Sequence, residues 1–282
     1  MRRRIVWIIV AVPLALVTLA AGTAAALPAA RHIASALWNA PDRMPSLADN
    51  GLIHFEPGAE DYAHRVSALL PAAIARIEAA QGRPFAHPVT VGVYETPEAY
   101  AAANASGSGA VGVTAFGRVV LSPTLNGPQH RRLPAILTHE LSHAHLQSWI
   151  SGHAWVRLPN WFKEGLAVMV SRGGGAEFAS EREARAAIER GESITIDDTG
   201  SYWNLSEIRF ERAPAGTPSD RTVMAYRQAG MFVSYLHDSD APGFARMMNA
   251  ILDGRPFVEA VAAGYQQDVQ SLWQKFAQTA PS

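Results

Sequence analysis

The sequence predicts an α+β domain: a small mixed sheet packed on one central helix, followed by a mostly helical C-terminal half. Three observations predict it. Short apolar segments between residues 52 and 121 read as strands interleaved with helical stretches. An apolar helical pattern from about Arg131 to Trp149 then carries His139-Glu140-Leu141-Ser142-His143. Beyond Gly152 nearly every periodic segment has helical spacing.

The chain has 282 residues, 48% hydrophobic and 17% charged. That is enough for one large domain or two small ones with a proper core. A formal net charge of −1 gives no footing for a nucleic-acid surface. There is no cysteine, so disulfides and thiolate metal ligands are excluded. A metal site must be built from His, Asp or Glu.

Taken in order, the chain opens with Arg2, Arg3 and Arg4 before an apolar run from Ile5 to about Ala21, continuing through Ala24, Ala25 and Ala26. A cleaved signal peptide fits Ala24 and Ala26, which form an A-x-A-like site before Leu27. An uncleaved membrane anchor fits the length, since about 20 apolar residues span a bilayer, and the arginines would stay cytoplasmic. The length favours the anchor. Both readings of residues 1–27 export the remainder, as a membrane-tethered, periplasmic or secreted domain. Residues 28–50 read as a tether, because Pro28, Pro41 and Pro45 interrupt any long helix. The domain is expected over 51–282.

Leu52 to Glu56 alternates like a strand, and Pro57-Gly58 reads as a turn. Asp61 to Ala80 has apolar residues at helical spacing and stops at Gly82 and Pro84. Pro88 to Tyr94 reads as a second strand. Thr96 caps a short helix with Pro97 at its first position. Residues 104–109 read as a loop. Val111 to Phe116 and Val119 to Leu121 read as two more strands, joined at Gly117-Arg118. In the next helix Pro134 falls within the first turn, where a missing N–H costs little. Asn160 is the expected cap of a second helix. Further helices are expected at 180–190, 223–238, 242–252, 256–263 and 268–279. Gly173 to Gly175 and Ala213 to Ser219 are the expected mobile loops.

His139 and His143, four residues apart, share one helix face and can converge on one metal ion, usually zinc. Glu140 beside them can reach a metal-bound water and act as general base. A catalytic zinc usually takes a third protein ligand. His145 lies two residues past His143, about 200° round the helix, and cannot join. Leu146 and Trp149 stand where a metzincin needs glycine and histidine. His153, past a glycine in a loop, could bend back to the pair, though it reads rather as a surface histidine. Glu164 reads equally well as a ligand one helix later or as a solvated glutamate at a helix start.

The motif at residues 139–143, followed by Leu158-Pro159-Asn160-Trp161-Phe162-Lys163-Glu164-Gly165-Leu166-Ala167, resembles the gluzincin metallopeptidases, the thermolysin-like superfamily. The resemblance implies a zincin-like fold, a Zn²⁺ cofactor and Glu164 as the third ligand. It also implies hydrolysis of peptide bonds, with a peptide or protein as substrate. Arg118 to Ser122 resembles the edge strand that lines the substrate cleft there, where substrate backbone would pair by β-addition. Ala225 to Leu236 resembles that group's tyrosine-bearing helix, which implies Tyr226 as an oxyanion donor; an ordinary packing tyrosine is the alternative. The chain departs from the pattern at two points. Val168 stands where thermolysin carries the acidic residue that orients a zinc histidine, so that partner must come from a backbone carbonyl or Ser171, or be missing. The aminopeptidase signature Gly-x-Met-Glu-Asn is absent. The alternative function is a non-catalytic, zinc-containing module that binds peptides or cell-envelope partners. The expected partners are therefore a peptide substrate and, through an uncleaved N-terminus, a membrane, with no nucleic acid; nothing in the sequence marks an oligomeric state.

Overall fold

A computed structural model of the chain describes residues 28–104 and 109–279. The run read as signal peptide or anchor lies outside these residues. Among the described residues, no helix is long and apolar enough to cross a membrane.

The stretch read as a tether is ordered against the rest. Helix α1 (Pro28–Trp38) opens on one proline, and a 3₁₀ turn (Pro41–Arg43) opens on another. At a first helical position proline has no intrahelical N–H to lose, so these prolines start turns instead of preventing them. Ala36, Ala40 and Leu47 are buried, and Ser35 Oγ donates to the Ala102 carbonyl at 2.7 Å.

Strand β1 (Ile53–Phe55) leads into helix α2 (Glu60–Gln81), strand β2 (Thr90–Val93) and helix α3 (Pro97–Ala103). Gly82 ends α2 in the left-handed conformation, φ 80°. Thr96 caps α3 as expected, accepting from Ala99 N. Strands β3 (Gly112–Ala115) and β4 (Arg118–Leu121) follow as a hairpin. Its two turn residues, Phe116 and Gly117, both have positive φ, the mirror-type turn that matches strand twist.

The sheet order is β1-β2-β4-β3. The first three strands are parallel, and β3 runs antiparallel to β4. The mixed sheet is as expected, but its edge is not. Arg118 to Leu121 lies inside the sheet, between β2 and β3, and β3 is the edge strand. The tight hairpin folds β3 to the outside of β4, leaving no second partner for it. Ser122 N donates to Val111 O, and with the register this makes Val113 and Ala115 the residues bonded to β4. Gly112 and Thr114 therefore direct their N–H and C=O groups to the open edge.

Helix α4 (Leu133–Trp149) is buried at every residue from Ile136 to Leu146. It packs on β3, β4 and α2. Helix α5 (Gly152–Arg157), capped by Ser151, occupies what reads in the sequence as loop. In helix α6 (Asn160–Ser171) the cap is Pro159, not Asn160. The Asn160 amide instead donates to the carbonyls of Asn204 and Glu207 at 3.2 and 3.0 Å, an engagement with a distant loop that no local pattern reveals. Helix α7 (Glu181–Glu189) opens on a reciprocal capping box between Ser180 and Glu183. Helix α8 (Pro218–Ser239) starts at Pro218 instead of Val223, because Thr217 and Asp220 form a second such box. Helices α9 (Ala241–Leu252), α10 (Phe257–Tyr265) and α11 (Val269–Ala277) complete the helical half. One core joins Leu137 and Leu141 of α4 to Phe162, Phe232, Phe257 and Phe276.

Helices α6 and α8 cross closely because glycine stands at both contacts. A Cβ on Gly165 would sit 2.6 Å from Ala229 O, and one on Gly230 would sit 2.4 Å from Val168 Cγ1. This crossing sets Glu164 of α6 against Tyr226 of α8.

Candidate metal centre

A helix enclosed on all sides is normally apolar throughout. Helix α4 instead buries His139, Glu140, Ser142, His143 and His145. Each therefore needs a partner.

The histidine pair projects from one face of α4 toward Glu164. His139 Nε2 and His143 Nε2 are 3.2 Å apart. Glu164 Oε2 lies 3.2 Å from the first and 3.5 Å from the second. The three residues form a group that could hold a metal ion. The structure thus brings the pair together with Glu164, the one of the two open readings that the geometry meets. His153, the other residue weighed, sits on exposed α5 with its Nδ1 against the Tyr202 hydroxyl.

The donor chemistry fits a cation. His139 Nδ1 lies 2.9 Å from the Gly174 carbonyl, so Nδ1 carries the proton and donates it. A neutral His139 then presents a lone pair at Nε2, facing a second imidazole nitrogen and a carboxylate. Three such acceptors converge stably only around protons or a cation. A four-coordinate ion with bonds of about 2.1 Å holds its ligand atoms roughly 3.4 Å apart, close to the spacing found.

Protons serve in the absence of a cation. Burial opposes charge on His139, but the hydrogen bond it donates to Glu164 and the charges of Glu140 and Glu164 outweigh it and raise its pKa. Burial likewise opposes charge on Glu164, yet the two histidines hold its carboxyl well below the ordinary range. Next to it, Lys163 is 2% exposed, and burial pushes its pKa down to about 8 against the pull of Glu164. Its ammonium lies 4.7 Å from the Trp155 ring centroid.

The partner that Val168 cannot provide comes from the backbone. Val168 is spent in the crossing with Gly230, and the Gly174 carbonyl orients His139 in its place. Ser171 Oγ accepts from Gly174 N at 2.9 Å and so fixes the peptide that leads into that residue. The glycine loop packs closely on α4. A Cβ on Gly174 would lie 2.6 Å from Ala135 O, and one on Gly175 3.1 Å from His139 Cε1. Arg227 pins the far side through the carbonyls of Ala176 and Ala179 at 2.9 and 2.7 Å. These glycines permit close approach to α4, which their composition alone does not distinguish from mobility. His143 Nδ1 is buried with no hydrogen-bond partner among the described residues. Its ring packs edge-on against Trp155 at 5.7 Å.

Glu140 reaches toward the sheet edge. The Thr114 hydroxyl lies 2.8 Å from both its carboxylate Oε2 and its backbone carbonyl, and its single proton serves one at a time. Gly112 leaves the room: a Cβ there would come within 2.8 Å of Glu140 Cγ. Tyr226 sits in the third turn of α8, not at its start. Its ring stacks on His139 at 6.1 Å and 12°. Burial first, then the charge of Glu164 and a hydrogen bond to it, raise its pKa well above the ordinary value.

Sequence reasoning missed Thr114, Gly174 and Trp155. The signals were slight: a threonine in a predicted strand, one glycine of three, and a tryptophan in a stretch read as loop.

Compared with protein-family models and with curated proteins, the chain matches none. It is the donor geometry that carries the metal reading.

Proposed function

We propose that the chain is a zinc-dependent peptidase, cleaving peptide bonds at the His139, His143 and Glu164 centre. The observation that carries the reading is a complete set: three converging donors, a neighbouring glutamate and an open sheet edge beside them. Zinc, when bound, supplies Lewis acidity, polarising a carbonyl and acidifying a water at its open position.

The chain's own residues do the rest. His139 and His143 donate Nε2, and the Gly174 carbonyl keeps His139 in the tautomer that can. Glu140, positioned by Thr114, accepts the proton of the attacking water and delivers it to the leaving amine. The open N–H and C=O groups of Gly112 and Thr114 support an extended substrate backbone by strand addition. This moves the cleft-lining role from β4 to β3. In this reading the Tyr226 hydroxyl gives up its hydrogen bond to Glu164 and donates to oxygen as negative charge develops, a role often worth about 3 kcal/mol. The apolar run of residues 5–26 supports an exported domain.

The test is peptide-library digestion by the full chain loaded with one zinc. Glu140→Gln should keep the zinc and lose cleavage by about 10²–10⁴-fold. Full activity in that variant would remove Glu140 from the chemistry. Stoichiometric zinc without cleavage in the unmodified chain would favour the binding-module reading.

A further inference from the structure

Helix α1 carries an apolar face that nothing in the described chain covers. Ile33 and Leu37, four residues apart, lie together on it, with Trp38 beside them. Trp38 is 73% exposed, Leu37 45% and Ile33 37%. The opposite face is fixed to the domain through buried Ala36 and the Ser35–Ala102 hydrogen bond. Phe116, 55% exposed at the tip of the β3–β4 hairpin, lines a shallow groove together with Ala36 and Pro41. Large apolar side chains are ordinarily scattered singly over a protein surface. Grouped at one end, they mark an interaction site.

Chain order says what covers them. No charged residue occurs between Arg4 and Arg31, and the apolar run from Ile5 to Ala26 ends immediately before α1. With that run retained as an anchor, the bilayer that takes it up lies against the start of α1. Arg31 closes the uncharged stretch, and the Arg43 guanidinium lies 5.2 Å from the Trp38 ring centroid. Aromatic side chains flanked by cations are suited to the headgroup level of a bilayer, where one side is apolar and the other wet.

We propose that α1 is an interfacial helix lying on the bilayer surface, with Ile33, Leu37 and Trp38 at the acyl boundary and Arg31 and Arg43 among the headgroups. Because α1 is fixed to the domain, the contact also orients it. Phe116 and the end of edge strand β3 are held near the lipid. Gly117 N donates to Gln147 Oε1 at 2.8 Å, which ties that hairpin tip to α4. The metal centre is thereby set to meet chains that lie close to the membrane. This inference does not depend on the centre being catalytic.

The absence of native cysteine makes a direct test simple. Ile33→Cys and Leu37→Cys each accept a nitroxide label in the full chain, reconstituted into vesicles of mixed zwitterionic and anionic lipid. Arg76→Cys, on exposed α2 surface, is the water-facing control. The expected result is that collision with oxygen exceeds collision with a water-soluble nickel chelate at 33 and 37, and that the order reverses at 76. Labels at 33 and 37 as open to the chelate as the control overturn the proposal. Spin–spin broadening at those positions that vanishes on dilution with unlabelled chain also overturns it, since the face would then be covered by a second copy.

Discussion

The two faces of helix α4 are both polar and both buried, and they differ in how their polar groups are satisfied. On one face, Ser142 Oγ accepts from Gln81 Nε2 at 2.7 Å, and His145 Nε2 lies 2.8 Å from the Arg83 carbonyl. These partners come from α2 and the turn after it, and they tie that helix to α4. On the other face, His139 and His143 point their Nε2 atoms at each other and at Glu164. On the first face each side-chain donor meets an acceptor, while Gln81 Oε1 and His145 Nδ1 stay buried without a partner and point to no common centre. The second brings two imidazole nitrogens and a carboxylate together at one point, a group that could hold a metal ion. Histidine content does not separate structure from function on this helix; the direction of the lone pairs does.

The comparison is broken most severely by removing a ligand. His143→Ala or Glu164→Ala should abolish stoichiometric zinc binding and with it hydrolysis, read by elemental analysis and peptide cleavage. His145→Ala should leave zinc at one per chain. It strips the Arg83 carbonyl of its partner, so it should cost about 1–3 kcal/mol in urea unfolding. Equal loss of zinc in both classes of variant would erase the distinction between the faces.

Acidity sharpens it next. In the metal-free chain the Glu164 carboxyl is depressed from 4.5, so its contribution to stability is fully present above 4.5 and is lost as pH falls toward its folded value. His139 is raised from 6.5, so its contribution is fully present below 6.5 and is lost as pH rises through its folded value. Metal-free chain should therefore gain most from this pair between about 4.5 and 6.5. Zinc displaces the His139 proton, so its affinity should fall as pH drops below the raised value. Urea midpoints with and without zinc across pH 4–8 check both signs. A smaller effect is expected of Ser171→Ala, which frees the Gly174 N–H, next to the carbonyl that orients His139, without touching a ligand. Zinc affinity should drop about 10–100-fold, with cleavage largely recovered at saturating zinc.

Much of this was readable in the sequence. The i, i+4 spacing fixes the histidine pair on one face, and the same periodicity separates His145 from it. The absence of cysteine confines the ligand set. Glu164 was legible only as one of two readings until its neighbours brought in a family resemblance. What was not legible depended on contacts distant in sequence. The Gly174 carbonyl reaches His139 across 35 positions, and a carbonyl leaves no residue signature. Thr114 meets Glu140 only because β3 folds outside β4, a choice of sheet order that strand periodicity does not encode. Asn160 looks like a cap locally and is claimed by Asn204 and Glu207. Prolines at 28 and 41 look like breakers and are helix starts.

The most direct measurement is X-ray absorption at the zinc edge on full-length chain loaded with one equivalent. Two imidazole nitrogens and one carboxylate oxygen at about 2.0–2.2 Å are expected. His145→Ala should leave the spectrum unchanged, and His143→Ala should retain no stoichiometric zinc to give it. A spectrum without imidazole scattering, or one indifferent to His143, would contradict the account.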